Sequence, residues 1–234
     1  MSARSNAGRI GVWGRSGSGK SSYVKNKLRG VRRVVIFDPL AEYGGEGFRV
    51  IEHRAHGLDG VRVQMAANWR GFRLAYVPPS GREAAALSGL SRLLMAAQEP
   101  FRATGRGAQI TLAVEELNMS FTVNGGANHA PGFAEICSRG RHYGIEVIGI
   151  SQRIAEVATR FRGNCTETVV FPQKGKRDLD AAAAELGVDV AQVRGLQNLH
   201  YLHEQGGTVT AGSIVHKRIP ANENGPPQKK RKRA

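Results

Sequence analysis

The sequence predicts an α/β fold with a mostly parallel central sheet flanked by helices and a hairpin added at the C-terminal end. Three observations predict it. Short apolar runs rich in β-branched residues, Arg33–Phe37 and Ile110–Val114 above all, read as strands buried on both faces. Segments with apolar residues at helical spacing lie between those runs, and that alternation gives a parallel sheet with helices on both sides. A glycine-rich stretch at residues 14–21 joins the first strand to the first helix.

Taken in order, residues 1–8 are small and polar and are expected to be flexible. Arg9–Trp13 is a short strand, and the helix after the glycine-rich loop is expected over 21–28, stopping near Gly30. Arg33–Phe37 ends at Asp38-Pro39. Residues 44–71 are rich in glycine and mixed in character, and loops with short strands are expected there. Phe72–Val77 is a strand closed by Pro78-Pro79. Residues 82–98 carry Ala and Leu at helical spacing and read as a helix, and 100–107 as a basic loop. Ile110–Val114 is a strand, 119–131 an Asn- and Gly-rich loop, 133–142 a helix closed by Gly144, and 145–150 a strand. Residues 169–171 begin the last core section, 178–186 and 190–196 read as helices, and 201–204 with 208–214 as a hairpin across Gly206-Gly207. The expected organisation is one α/β domain over 9–219 and a disordered basic tail over 220–234.

The chain has 234 residues, 41% of them hydrophobic, enough for one α/β domain with a sizeable core. Its formal net charge is +15, which favours a polyanionic partner. Five of those charges sit in Lys229, Lys230, Arg231, Lys232 and Arg233, a run that reads as an import signal, a nucleic-acid anchor or a solvated tail. The two cysteines, Cys137 and Cys165, lack metal-site spacing and are expected to be reduced thiols. No apolar stretch is long enough to span a membrane, and the N-terminus lacks the apolar core of a signal peptide.

Residues 14–21 read Gly14-Arg15-Ser16-Gly17-Ser18-Gly19-Lys20-Ser21, followed by Ser22. This is the spacing of a P-loop, in the strand–loop–helix context that the motif needs. The glycines let the backbone turn its N–H groups around phosphate oxygens, and the helix N-terminus favours an anion. Lys20 places a cation on the β- and γ-phosphates, and the Ser21 hydroxyl suits Mg²⁺. ATP with Mg²⁺ is the expected ligand. Arg15 is open to nucleotide, to a neighbour or to solvent.

Hydrolysis further requires a carboxylate that organises the metal and a group that orients water. Glu115 and Glu116 end the third buried strand, where ligands bind in open α/β sheets. Glu115 is assigned to the Mg²⁺ shell through water and Glu116 to polarising the attacking water. Two solvated acids at a strand end are the plainer alternative.

Together these pieces resemble the FtsK/HerA superfamily of DNA-pumping ATPases, and within it the genome-packaging ATPases of tailless, membrane-containing viruses. The likeness covers roughly residues 9–172. It rests on the P-loop, on Asp38-Pro39-Leu40-Ala41-Glu42-Tyr43 after the second strand, on Glu115-Glu116, and on Gly140-Arg141-His142-Tyr143-Gly144-Ile145 one strand before Ser151-Gln152-Arg153. The last block is the most distinctive. Where the family usually continues with Pro, this chain has Ile154.

The resemblance implies a RecA-like or FtsK/HerA-like P-loop fold. Gln152 is then the sensor of the γ-phosphate. Arg141 is the arginine finger that reaches a neighbouring subunit's ATP, with Arg139 as substitute. Arg153 supports the site or the interface. The implied partners are double-stranded DNA, further copies of the chain in a pentameric or hexameric ring, and viral capsid or membrane vertex proteins. The implied location is the cytoplasm of a bacterial host or the packaging vertex of the virion.

Other readings remain open. Arg139 and Arg141 also read as a basic helix end, Gln152 as a strand cap, and Asp38 as a turn residue before proline. The loop over 118–131 reads equally as a DNA-contacting pore loop or a plain connection. Arg70, Arg73, Arg102, Arg106, Arg160 and Arg162 are candidate phosphate contacts. For the whole chain the alternatives are a secretion or morphogenesis ATPase like the zonula-occludens-toxin-like phage proteins, a small-molecule kinase, or a nucleotide-binding scaffold without turnover.

Overall fold

A computed structural model describes residues 7–45 and 47–214. The chain runs β1 (Arg9–Trp13), α1 (Lys20–Lys27), β2 (Arg33–Phe37), β3 (Arg49–Glu52), α2 (His53–Ala67), β4 (Phe72–Val77), α3 (Glu83–Ala97), α4 (Glu99–Thr104) and β5 (Ile110–Val114). It continues through α5 (Leu117–Ser120), α6 (Gly126–His129), α7 (Pro131–Arg139), β6 (Ile145–Ser151), α8 (Thr159–Arg162), β7 (Glu167–Val170), α9 (Lys176–Leu186), α10 (Val190–Arg194), β8 (His200–Gln205) and β9 (Thr208–Ser213). Short 3-10 turns occupy Gly140–Tyr143 and Ile154–Glu156.

Among the described residues nine strands form one sheet in the order β3-β4-β2-β5-β6-β1-β7-β8-β9. Every pairing from β3 to β7 is parallel, and only β7-β8 and β8-β9 are antiparallel. Strands β1, β2 and β5 are buried along their whole length, as continuous apolar runs require when helices cover both faces. Alternate residues serve the two layers. Trp13, Phe37, Leu112, Val114 and Val147 pack with α3, α7 and α9 on one face. Ile10, Val12, Ile36, Ala113 and Ile148 pack with Val24 and Leu28, at the inner side and end of α1, on the other.

Four segments differ from the sequence reading. Residues 53–67, expected as loop, form α2, in which Gly57 takes a non-helical φ of 55°. The two glycines at 57 and 60 weaken the helical signal, and burial of Val61 and Met65 overrides it. Residues 99–104, expected as part of a loop, form α4, because Pro100 suits a first helical turn and Phe101 is buried below it. Within 119–131 the turns of α5 and α6 hold fully buried Phe121. Ala7 and Gly8, grouped with a flexible N-terminus, pack in place: Ala7 is buried and the Gly8 carbonyl accepts the Val147 N–H at 3.0 Å. The rest of that N-terminus, the end of the 9–219 domain and the basic tail at 220–234 lie outside the described residues. Both cysteines are free. Among the described residues no helix is long and apolar enough to cross a membrane.

Candidate functional site

The parallel register lines up the strand ends. Trp13 pairs with Ser151, Phe37 with Val114, and Val114 with Gly149. The residues that follow, Gly14, Asp38, Glu115 and Gln152, therefore leave the sheet at one edge.

The phosphate loop hangs there on backbone bonds. Gly14 N–H donates to the Ser151 carbonyl at 3.2 Å and Arg15 N–H to the Pro172 carbonyl at 2.8 Å. Gly17 and Gly19 hold φ of 71° and 115°, which side-chain-bearing residues avoid. A Cβ on Gly14 would meet Phe171 Cβ at 2.5 Å, so this position is also closed to larger residues. Lys20, Ser21 and Ser22 open α1, whose first amides have no intrahelical carbonyl partner. Lys20 is buried, with Nζ donating to the Arg15 carbonyl at 3.1 Å. Burial pulls its ammonium below the ordinary lysine value, and the charges of Glu116, Glu115 and Glu42 act against that pull. Gly17, Ser18, Gly19, Lys20, Ser21 and Ser22 line a cavity of about 220 Å³ together with Leu199.

The acids and the glutamine come together beside it. Glu115 N–H donates to the Phe37 carbonyl at 3.0 Å. Its side chain is 6% exposed, and burial pushes its carboxyl up to about 7, opposed by the hydrogen bond from Tyr43 and the charge of Lys20. Glu116 sits in the left-handed region at φ 43° and ψ 53°, a strained position for glutamate that turns the chain out of β5. Gln152 Nε2 donates to Glu116 Oε1 at 2.6 Å. Arg153, next in sequence, pairs with buried Asp178 at 2.9 Å and so ties this edge to α9.

No protein-family model and no curated protein sequence matches the chain. Solved structures do. The genome packaging NTPase B204 of Sulfolobus turreted icosahedral virus 2, in complex with AMPPCP, aligns at a TM-score of 0.68 and 16% identity over 89% of this chain and 98% of that one. VirB4 of Thermoanaerobacter pseudethanolicus aligns at 0.65 and 14% identity over 90% of each chain. The shared fold is a P-loop NTPase fold, a mostly parallel sheet flanked by helices. EssC of Geobacillus thermodenitrificans, covering ATPases 2 and 3, shares this P-loop ATPase fold at a TM-score of 0.57 and 13% identity, over 88% of this chain and 39% of that one.

Within this P-loop ATPase fold the two arginines stand apart. Arg139 ends α7, exposed and paired with Glu135 at 3.3 Å, and Arg141 lies exposed in the turn before β6. Gln152 follows the other end of β6, a strand about 20 Å long. The structure therefore brings Lys20, Glu115, Glu116 and Gln152 together and leaves Arg139 and Arg141 at the far end of the sheet.

Two residues of the site were not assigned from sequence. Tyr43 is fully buried and donates its hydroxyl to Glu115 Oε1. The Glu42-Tyr43 pair was visible in the sequence only as part of a resemblance, with no role attached. Leu199 donates its N–H to the Ser18 carbonyl at 2.9 Å, and neighbouring Asn198 accepts from Arg15 Nη2 at 2.7 Å. Leu199 carries a left-handed φ of 68°, and no local sequence signal marks it. Of the candidate phosphate contacts, Arg73 is held by the carbonyls of Leu28 and Val31 at 3.0 Å each, and Arg162 pairs with Glu185 at 2.8 Å. Arg102 pairs with Glu99 at 2.6 Å and Arg160 donates to Ser138 at 3.1 Å, while Arg70 and Arg106 are exposed.

Proposed function

We propose that the chain is an ATPase that drives double-stranded DNA translocation, with packaging of a viral genome into a preformed capsid as its leading role. The observation that carries the hydrolytic part is the Gln152–Glu116 hydrogen bond at 2.6 Å, set beside the buried Lys20. The loop amides and Lys20 hold the triphosphate, and Lys20 balances charge on its terminal groups. Glu116 takes hydrogen-bond donation from the attacking water, and Gln152 orients both that water and Glu116. Mg²⁺, if bound with the nucleotide, would supply positive charge against the phosphate oxygens. The hydroxyl of Ser21 and the carboxylate of Glu115, both hard oxygen donors, fit it, and they are the residues that would hold it.

The placement of Arg141 supports a homo-oligomeric ring of five or six copies. An arginine a strand's length from its own phosphate loop does not reach its own ATP, and exposed as it is it suits a neighbour's, with Arg139 as its substitute. A net charge of +15 supports a phosphate-rich partner, held through backbone contacts without sequence preference. Exposed Arg70 and Arg106 are the foremost candidates for those backbone contacts. Capsid or membrane vertex proteins are the further partners, in the host cytoplasm or at the packaging vertex of the virion.

The likeness to VirB4 and EssC favours a second reading, a secretion ATPase on the same fold. An ATPase assay with and without double-stranded DNA, across protein concentration, separates the two. Translocation predicts turnover that rises with both DNA and concentration. Turnover indifferent to DNA favours secretion, and phosphate transfer to a small acceptor without DNA favours a kinase. ATP binding without turnover refutes the enzymatic reading.

A further inference from the structure

The turn after β2 is separate from the phosphate loop, yet it delivers a side chain into the same site. Asp38 is fully buried, and its two carboxylate oxygens accept the backbone N–H groups of Glu42 and Tyr43, each at 3.0 Å. The Asp38 N–H donates to the Tyr76 carbonyl at 2.9 Å, and Ala41 accommodates a left-handed φ of 56° to close the turn. An aspartate gripping two amides fixes the turn more firmly than proline alone.

The turn buries the Tyr43 ring. It packs edge-on against Phe48 with centroids 5.6 Å apart, and Lys25 Nζ lies 5.3 Å from the ring centre. Packed this way, the ring places its hydroxyl on Glu115 Oε1. Glu115 is itself pinned through its backbone to Phe37, next to Asp38 in sequence. Both ends of the Tyr43–Glu115 contact are thus anchored to the end of β2.

We propose that Tyr43 is a positioning residue for ATP hydrolysis: its hydroxyl fixes the Glu115 side chain, leaving Oε2 for the metal's water, while Asp38 holds Tyr43 in place. This rests on the reading of the site as an Mg²⁺-dependent ATPase. A buried carboxylate with a free rotamer samples several directions, and one held by a charge-assisted hydrogen bond keeps a single direction. A purely structural tyrosine would support stability and leave the metal response untouched.

The test is Tyr43→Phe, which keeps the ring and removes only the hydroxyl, compared with wild type in kcat, Mg²⁺ half-saturation, binding of a fluorescent ATP analogue in EDTA, and thermal unfolding. Loss of a hydrogen bond to a charged group predicts a kcat lowered roughly 10- to 100-fold. The Mg²⁺ half-saturation rises, and metal-free analogue binding stays unchanged. In a Glu115→Gln background Tyr43→Phe has no further effect. Asp38→Asn, which keeps one of the two acceptor oxygens, shifts the Mg²⁺ response in the same direction.

Wild-type kcat and Mg²⁺ response in Tyr43→Phe overturn the proposal, and so does a loss that persists undiminished in the Glu115→Gln background. If the wild-type chain does not hydrolyse ATP, the ATPase reading falls by itself. Tyr43 is then judged on the tightening of analogue binding by Mg²⁺. Loss of that tightening in Tyr43→Phe supports its role, and retention overturns it.

Discussion

Gln152 donates its side-chain amide to Glu116 at 2.6 Å, joining the ends of two adjacent parallel strands, β5 and β6. Neither side chain is fully buried, so the pair faces the open edge of the sheet where Lys20 starts the first helix. Glu116 reaches this position through a left-handed backbone that glutamate rarely adopts.

Replacing Glu116 with Gln keeps the shape of that pair and removes its negative charge. ATP binding, followed with a fluorescent analogue, should be retained. Turnover should fall by about 10²- to 10⁴-fold, the usual worth of a positioned base. Unchanged hydrolysis would take Glu116 out of the mechanism.

Gly19→Ala tests the phosphate loop itself. At φ 115° a Cβ is strained, and it would stand 3.1 Å from Phe171 and 3.2 Å from Leu199. The expected cost is about 1–3 kcal/mol of stability, read by denaturant unfolding. Nucleotide binding should weaken more than this implies, because the loop amides lose their convergence. Gly30→Ala is a comparison with a left-handed φ of 81° and open space around the added methyl. It should carry backbone strain alone.

Glu115 sets a pH dependence in the metal-free protein. Its carboxyl titrates near 7 when folded, against 4.5 when unperturbed. Between these values the folded chain holds a proton that the unfolded chain has released. Stability from this group is therefore fully present below about pH 4.5 and is lost as pH rises through about 7. The loss amounts to about 3 kcal/mol, measurable as a falling midpoint of denaturant unfolding in EDTA between those limits. Glu115→Gln should flatten that slope. A slope that survives the substitution would assign it to another group.

Arg141 and Lys20 give a test of the assembly. Arg141→Ala subunits and Lys20→Ala subunits should each be inactive alone. Mixed rings should recover part of the activity, since one subunit then supplies an intact phosphate loop and its neighbour an intact arginine. Arg139→Ala in place of Arg141→Ala tests the substitute. Absence of recovery in rings verified as mixed would remove the arginine from a role between subunits.

The sequence by itself determined the strand–loop–helix at residues 9–28, the buried strands at 33–37, 72–77 and 110–114, and the C-terminal hairpin. These are local signals: β-branched runs, glycines at fixed spacing and a turn between alternating strands. It also determined which residue types end the strands, and hence that Lys20, Glu115, Glu116 and Gln152 belong at one sheet edge. The helix at 53–67 was not legible, because its glycines oppose helix formation and only the burial of Val61 and Met65 against the sheet selects it.

Tertiary structure alone decided which side chains touch. Tyr43 meets Glu115 from 72 positions away, and Leu199 meets Ser18 from 181. It also decided that Arg73 and Arg162 serve the fold and that Arg141 stands a strand's length from the site. The physical reason is range. Backbone preference and apolar periodicity act over a few residues and are written in each segment. Contacts between segments depend on strand order and register, which only the packing of the whole sheet fixes.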